Sequence, residues 1–229
     1  VPEQGQQLDV LFTMNTSERL NFSVAYKGVR ALGRYQNILT STGIFRFGLT
    51  YKTLDRKYHL RTHFVSHDLL NQENGGFSDL ARQQYIDKEE EFEDRSLLEM
   101  KFENAESTLY GKRFYLDHYY QVAAPDSLSS NALKVGHIFN HDYKKFDFIQ
   151  TNAANDIFGP SFQRANLRDR VRLTEFYNEG YVEWSNKTLG EVKAKAAIKN
   201  FEYGYKTFYI RENDTINNKL TGVNYSIGG

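Results

Sequence analysis

The chain has 229 residues, with 29 basic and 29 acidic side chains, a mean hydropathy of −0.64 and no cysteine. Balanced charge gives no pull toward nucleic acid, and the lack of cysteine excludes disulfide staples, Cys-ligated zinc and thiol nucleophiles together. No run approaches the roughly 18 consecutive apolar residues of a spanning helix, whereas 17 Phe and 16 Tyr against 3 Pro suit β-structure.

The opening VPEQGQQ has neither a charged nor an apolar leader, so an exported protein is expected here in mature or partial form. A first strand over Gln7–Met14 turns through NTSER into Leu20–Val29. There Leu20, Phe22, Val24 and Tyr26 oppose Asn21, Ser23 and Ala25. The polar stretch RALGRYQNILTST leads to Gly43–Thr53, where Phe45, Phe47, Leu49 and Tyr51 oppose Arg46, Gly48, Thr50 and Lys52. Strict period-2 alternation marks a strand with one apolar and one wet face. The turn LDRK leads into Tyr58–His67, in which Leu60, Thr62 and Phe64 oppose His59, Arg61 and His63. Residues 68–95 form the longest insertion, and its glutamate run and poor alternation predict a polar loop with some helix.

Strands resume at Ser96–Glu103, with Leu98, Met100 and Phe102 opposing Leu97, Glu99 and Lys101, and at Phe114–Val122. Past AAPDSLSSN come Leu133–Phe139 and Phe146–Thr151, split by NHDYKK. After another long connection follow Arg170–Trp184, Glu191–Phe201, Gly204–Ile210 and Lys219–Ile227. Short turns at Asn15–Arg19, Leu54–Lys57, Asn140–Lys145 and Ser185–Leu189 interleave with long loops at Arg30–Thr42, Asp68–Arg95, Ala123–Asn131 and Thr151–Asp169. Outer-membrane barrels have short periplasmic turns and long external loops. The expected fold is therefore all-β: an antiparallel up-and-down transmembrane β-barrel, with residues 1–229 as one segment of about eleven or twelve strands. Because LTGVNYSIGG still reads as strand, the segment is expected to belong to a larger barrel. Arg30–Thr42, Asp68–Arg95 and Ala123–Asn131 are expected outside the cell, with NTSER and LDRK in the periplasm.

On this pattern Phe22, Phe45, Phe47, Leu49 and Leu116 face lipid. Lys27, Arg46, Lys52, His59, Arg61, His63, Lys101, Arg113, Lys193, Lys195 and Lys199 face the lumen. A mainly basic lumen predicts a lean toward anions. Nine tyrosines, Tyr26, Tyr51, Tyr58, Tyr119, Tyr120, Tyr181, Tyr203, Tyr205 and Tyr209, are expected at strand ends, where amphipathic rings suit the bilayer interface.

Local features that suggest chemistry weaken on inspection. His59, His63 and His67 share a strand face but stand about 13 Å apart in sequence order, too far for one metal ion. Asp117 and His118 are adjacent, so they point to opposite faces and form no acid–base pair. Lys88–Asp94 lacks the Asp/Asn spacing and central Gly of a calcium loop. No catalytic residue, metal or cofactor is expected.

The stretches RLNFSVAYKGVRALGRYQNILTSTGIFRF, ENGGFSD and EDRSLLEMKFENAESTLYGKRFYLDHYYQV resemble the putative porin family of Bacteroidetes outer membranes. The resemblance spans about Leu8–Val122, and the YKG and GKRF segments carry its most specific parts. It implies a porin-like channel in the bacterial outer membrane, with lipid around it and small polar solutes passing through. A structural barrel with a closed lumen, partnered by other outer-membrane proteins, is the alternative. A soluble glycan-binding β-sandwich is a third.

Overall fold

A computed structural model describes residues 5–124, 130–152, 154, 157, 167–211 and 214–228, with backbone alone over 206–211 and 214–217. Nine strands follow one another: β1 (Gly5–Ser17), β2 (Leu20–Ala31), β3 (Thr40–Lys52), β4 (Tyr58–Glu73), β5 (Ala105–Ala123), β6 (Asn131–Gln150), β7 (Leu167–Asn186), β8 (Gly190–Arg211) and β9 (Asp214–Gly228). They form one sheet in sequence order, every neighbouring pair antiparallel. The sheet does not close on itself, which is the form of an arc of a barrel. No second sheet packs on it among the described residues, so a sandwich is not the architecture.

Turn chemistry sets the short hairpins. Between β3 and β4, Asp55 accepts from the Thr53 hydroxyl (2.5 Å) and from the Lys57 N–H (3.1 Å). Those two bonds hold its carboxyl below the usual carboxylate range. Between β7 and β8, Asn186 Oδ1 accepts from the N–H groups of Thr188 (2.8 Å) and Leu189 (3.0 Å), and Gly190 takes up the left-handed φ of 96°.

Nine strands replace the eleven or twelve expected because segments read as separate run on into one another. NHDYKK is not a turn. β6 continues through it, with His141 and Tyr143 on one face and Asn140, Asp142 and Lys144 on the other. Arg113 Nε donates to both oxygens of Asp142 (2.9 and 3.1 Å), so the polar residues of NHDYKK are tied into the ladder. Gly204–Ile210 likewise extends β8. The connection at Ala123–Asn131 also moves, because the Ser96–Glu103 segment expected before it is not a strand and its place in the order shifts by one. It lies at the end of the sheet with the short turns, opposite to Arg30–Thr42 and Asp68–Arg95.

The Ser96–Glu103 strand is absent. Instead, the β4–β5 connection folds into a small unit with helix α1 (Asp79–Asp87), capped by the Ser78 hydroxyl, and a 3-10 turn at Arg95–Leu97. Leu98 and Met100 bury themselves against Ala81, Tyr35, Phe77 and Phe92, a local core that competes with strand pairing. Only Met100 bridges, to Phe77. The unit is fastened to the β2–β3 loop by Gln36 Nε2 to Ser96 O (2.7 Å), Asn74 Nδ2 to Gln36 O (3.1 Å), and Arg95 to the Tyr35 hydroxyl (3.2 Å). The Asp68–Arg95 loop therefore begins only after β4 ends at Glu73.

The corrected topology makes a direct prediction. Epitope tags placed in the β4–β5 and β5–β6 connections of the protein in cells should report from opposite sides of the membrane, the first reached by antibody on intact cells. Tags that both react on intact cells would overturn the strand order.

Candidate functional site

Direct pairing keeps partners on one face, so the registers sort every strand residue. One face gathers Phe12, Val24, Phe47, Phe64 and Phe114 in a single row across β1 to β5. Phe22, Phe45, Phe47, Leu49 and Leu116 all lie on this face. Rings meet across strands at 6.0 Å (Phe12–Phe22), 6.4 Å (Phe45–Phe64) and 6.0 Å (Phe114–Phe139). Tyr51, Tyr58, Tyr120 and Trp184 border it at the short-turn end, and Tyr110 and Tyr143 at the other. Tyr120 to Tyr110 is ten steps along β5, roughly 34 Å of strand, or about 26 Å of height at a 40° tilt. That matches the apolar band of an outer-membrane barrel.

The apolar face also holds a polar chain that alternation does not reveal. Tyr58 Oη meets His118 Nδ1 at 3.1 Å, and His118 Nε2 meets His137 Nδ1 at 3.2 Å. As expected from their adjacency, Asp117 and His118 part company, Asp117 turning to Arg61 on the other face.

The opposite face is polar and largely pairs with itself. Lys27 meets Asp9 at 3.5 Å, Arg61 meets Asp117 at 3.2 Å, and Arg113 meets Asp142 at 2.9 Å. Farther along, Lys134 meets Glu183 at 2.5 Å, Lys195 meets Glu179 at 3.8 Å, and Lys199 meets Glu175 at 2.5 Å. Lys193 instead lies 4.1 Å above the Tyr181 ring. His59 stacks on Tyr119 (4.7 Å) and His63 on Tyr115 (5.0 Å). Arg46 and Lys52 share the face and make no ion pair with a described residue. Two open hollows indent this face. One of about 370 Å³ is lined by Ser23, Gly48, Arg61, His63 and Tyr115, and one of about 700 Å³ by Asn15, Arg19, Lys52, His59 and Tyr119.

Two assignments change. Lys101 belongs to the β4–β5 connection, where its N–H bonds Gly76 O, and so it is not on the polar face of a strand. Its neighbours Leu98 and Met100 prefer the local core to the sheet. Tyr119, Tyr181, Tyr203 and Tyr205 fall on the polar face, not in the aromatic border. Tyr181 folds over Gly136, where an added Cβ would approach the ring to 2.2 Å. The side chain of Tyr209 lies outside the described residues.

Sequence reasoning missed the acidic partners, chiefly Glu175, Glu179 and Glu183. Their signal was present, since they recur every fourth residue along β7 and so share one face. Among the described residues no three His, Asp or Glu side chains gather as a metal site. Chemically, the arrangement offers a wetted wall of fixed dipoles and matched charges.

A family described as "Putative porin" matches residues 1–229. The chain belongs to that family. No curated protein and no solved structure matches it. The porin family and the two-faced antiparallel sheet agree at the level of a porin-like outer-membrane β-barrel.

Phe47 lies at the centre of the aromatic row, so Phe47→Arg should lower barrel stability by ~2–4 kcal/mol. Unfolding of the variant in detergent or bilayers checks this, and unchanged stability would mean that the face does not meet lipid.

Proposed function

We propose that this barrel gives passive passage to small polar solutes across the bacterial outer membrane, with the apolar face against lipid and the polar face lining water. The observation that carries this reading is that, level with the aromatic row, strand alternation sets the ion pairs Arg61–Asp117, Arg113–Asp142 and Lys199–Glu175 on the opposite face. A hydrated wall lets a solute cross without entering hydrocarbon, where each unsatisfied polar group costs several kcal/mol. No covalent chemistry is required of the protein.

Any lean toward anions rests on few groups. Most cations on the polar face are held by carboxylates, and among those that are not, Arg46 and Lys52 lie together on β3, with Lys52 lining the larger hollow. The interaction-barrel reading draws support from the folded β4–β5 connection, where Leu80, Ile86 and Leu97 are more than half exposed. Such apolar groups on a built external loop suit contact with another outer-membrane protein.

Conductance of the full-length protein in planar bilayers separates the two. Single-channel steps support passage, and their absence favours the closed barrel. In a conducting barrel, changing Arg46 and Arg61 together to Glu should move the reversal potential under a salt gradient toward cation selectivity. An unchanged potential would place the conducting path away from β3 and β4.

A further inference from the structure

Beyond Tyr110 and Tyr143 the apolar face becomes charged at once. One register row runs Tyr110, Lys145, Arg172, Gly204, Lys219 across β5 to β9. In the next row out, Asp147 stands opposite Arg170. The Asp147 side chain is 4% exposed and sits among three cations. Arg170 Nε reaches it at 2.6 Å and Arg170 Nη2 at 3.0 Å, Lys145 Nζ at 3.3 Å and Arg168 Nη2 at 3.4 Å. Arg172, beside Lys145 in the register, makes no ion pair with a described residue. Lys112, one row inward, rests 5.2 Å from the Tyr110 ring. The acidic groups of this region other than Asp147 stand aside: Asp68 and Glu106 lie on β4 and β5, and Glu202 pairs with Lys219 at 2.9 Å.

Position gives this cluster meaning. It projects from the apolar face, away from the polar wall, so it is no part of the solute path. Lys145 and Asp147 are two and four residues past Tyr143, roughly 5 and 10 Å higher at a 40° tilt. A bilayer of about 30 Å hydrocarbon and 40–45 Å total thickness places its headgroups in that layer. One buried carboxylate beneath three cations orders their side chains before any ligand arrives and leaves positive charge to spare. Guanidinium forks two residues apart on β7, on one face, suit the oxygens of a phosphate monoester, which they bind bidentately.

We propose that Lys145, Arg170 and Arg172 bind the phosphorylated headgroup of an outer-leaflet lipid, of the phosphoglucosamine type found in lipid A. The proposal rests on the reading that the apolar face meets lipid. Its ligand is held at the rim of the band, with acyl chains lying down the face toward Phe139 and Phe176.

The test is native mass spectrometry of the full-length protein in detergent, titrated with lipid A, with lipid A stripped of phosphate, and with lipid A in the presence of sodium phosphate. Lipid A should bind, the stripped lipid should bind at least tenfold more weakly, and equimolar inorganic phosphate should not compete. Arg172→Gln breaks no ion pair with a described residue, so it should fold normally and weaken lipid A binding about fivefold, as expected for one cation near a charged surface. Lys145→Gln added to it should weaken binding further, and Lys57→Gln in the distant β3–β4 turn should have no effect. Equal affinity of wild type and Arg172→Gln, or equal binding of the stripped lipid, would overturn the proposal. Competition by equimolar phosphate would also overturn it, in favour of a free-anion site. Conductance is read separately, so a barrel that conducts without binding lipid A loses this site and keeps its channel, and the reverse holds as well.

Discussion

Everything in this protein depends on the backbone hydrogen-bond ladder. Inside a bilayer no water is available to an unpaired N–H or C=O, so a chain that spans with strands must give each strand a neighbour on both sides. Each interior strand here, β2 to β8, satisfies this over most of its length, from β2 paired with β3 over Leu20–Ala31 to β7 paired with β8 over Asp169–Asn186. Once the ladder is fixed, the side chains have no further freedom of face. A register slip by one residue would send Phe47 to water and Arg46 to lipid, so the pattern and the ladder enforce each other.

The same constraint explains how the polar face carries so much charge without becoming an electrostatic burden. β7 presents Glu175, Glu179 and Glu183 on the polar face, and β6 and β8 present Lys134, Lys195 and Lys199 beside them. Each pair is partly exposed and contributes roughly 0.2–1 kcal/mol by itself. Their larger effect is on the face as a whole: paired charges present strong local dipoles with little net field. Reading this face as mainly basic came from listing the cations of some strands without the carboxylates of their neighbours.

That difference shows where sequence reading runs out. The two faces of β2, β3 and β4 were legible because alternation is a property of single strands, and all five residues assigned to the lipid face share a face. Strand continuity was harder to see. NHDYKK reads as a turn because six polar or aromatic residues in a row imitate one, and only Arg113, far away in the chain, shows that Asp142 has a partner in the sheet. The strand misread at Ser96–Glu103 reversed the side on which the Ala123–Asn131 loop lies, since in an up-and-down sheet each strand shifts the parity of all connections that follow, and the turn misread at NHDYKK restored it farther on. Leu98 and Met100 misled in the other direction. Their alternation was real, but a local core with Ala81 and Phe77 claims them before a strand can.

The edges of the sheet set the last requirement. Among the described residues β1 pairs with β2 alone and β9 with β8 alone, so each has a row of backbone groups without a described partner. Leu8, Val10, Phe12 and Met14 of β1 are all more than 40% exposed, as are Val223, Tyr225 and Ile227 of β9, and they carry the apolar face to both margins. An apolar margin next to open hydrogen-bonding groups is unstable in water, where it pairs with any available strand, and equally unstable in lipid. Both solvents therefore demand strand partners for β1 and β9 that prolong the aromatic band on one side and the polar wall on the other. A lumen exists only when those partners are in place, so the proposed passage requires the closed barrel, whereas the aromatic row and the cationic cluster on β6 and β7 are already complete within this arc.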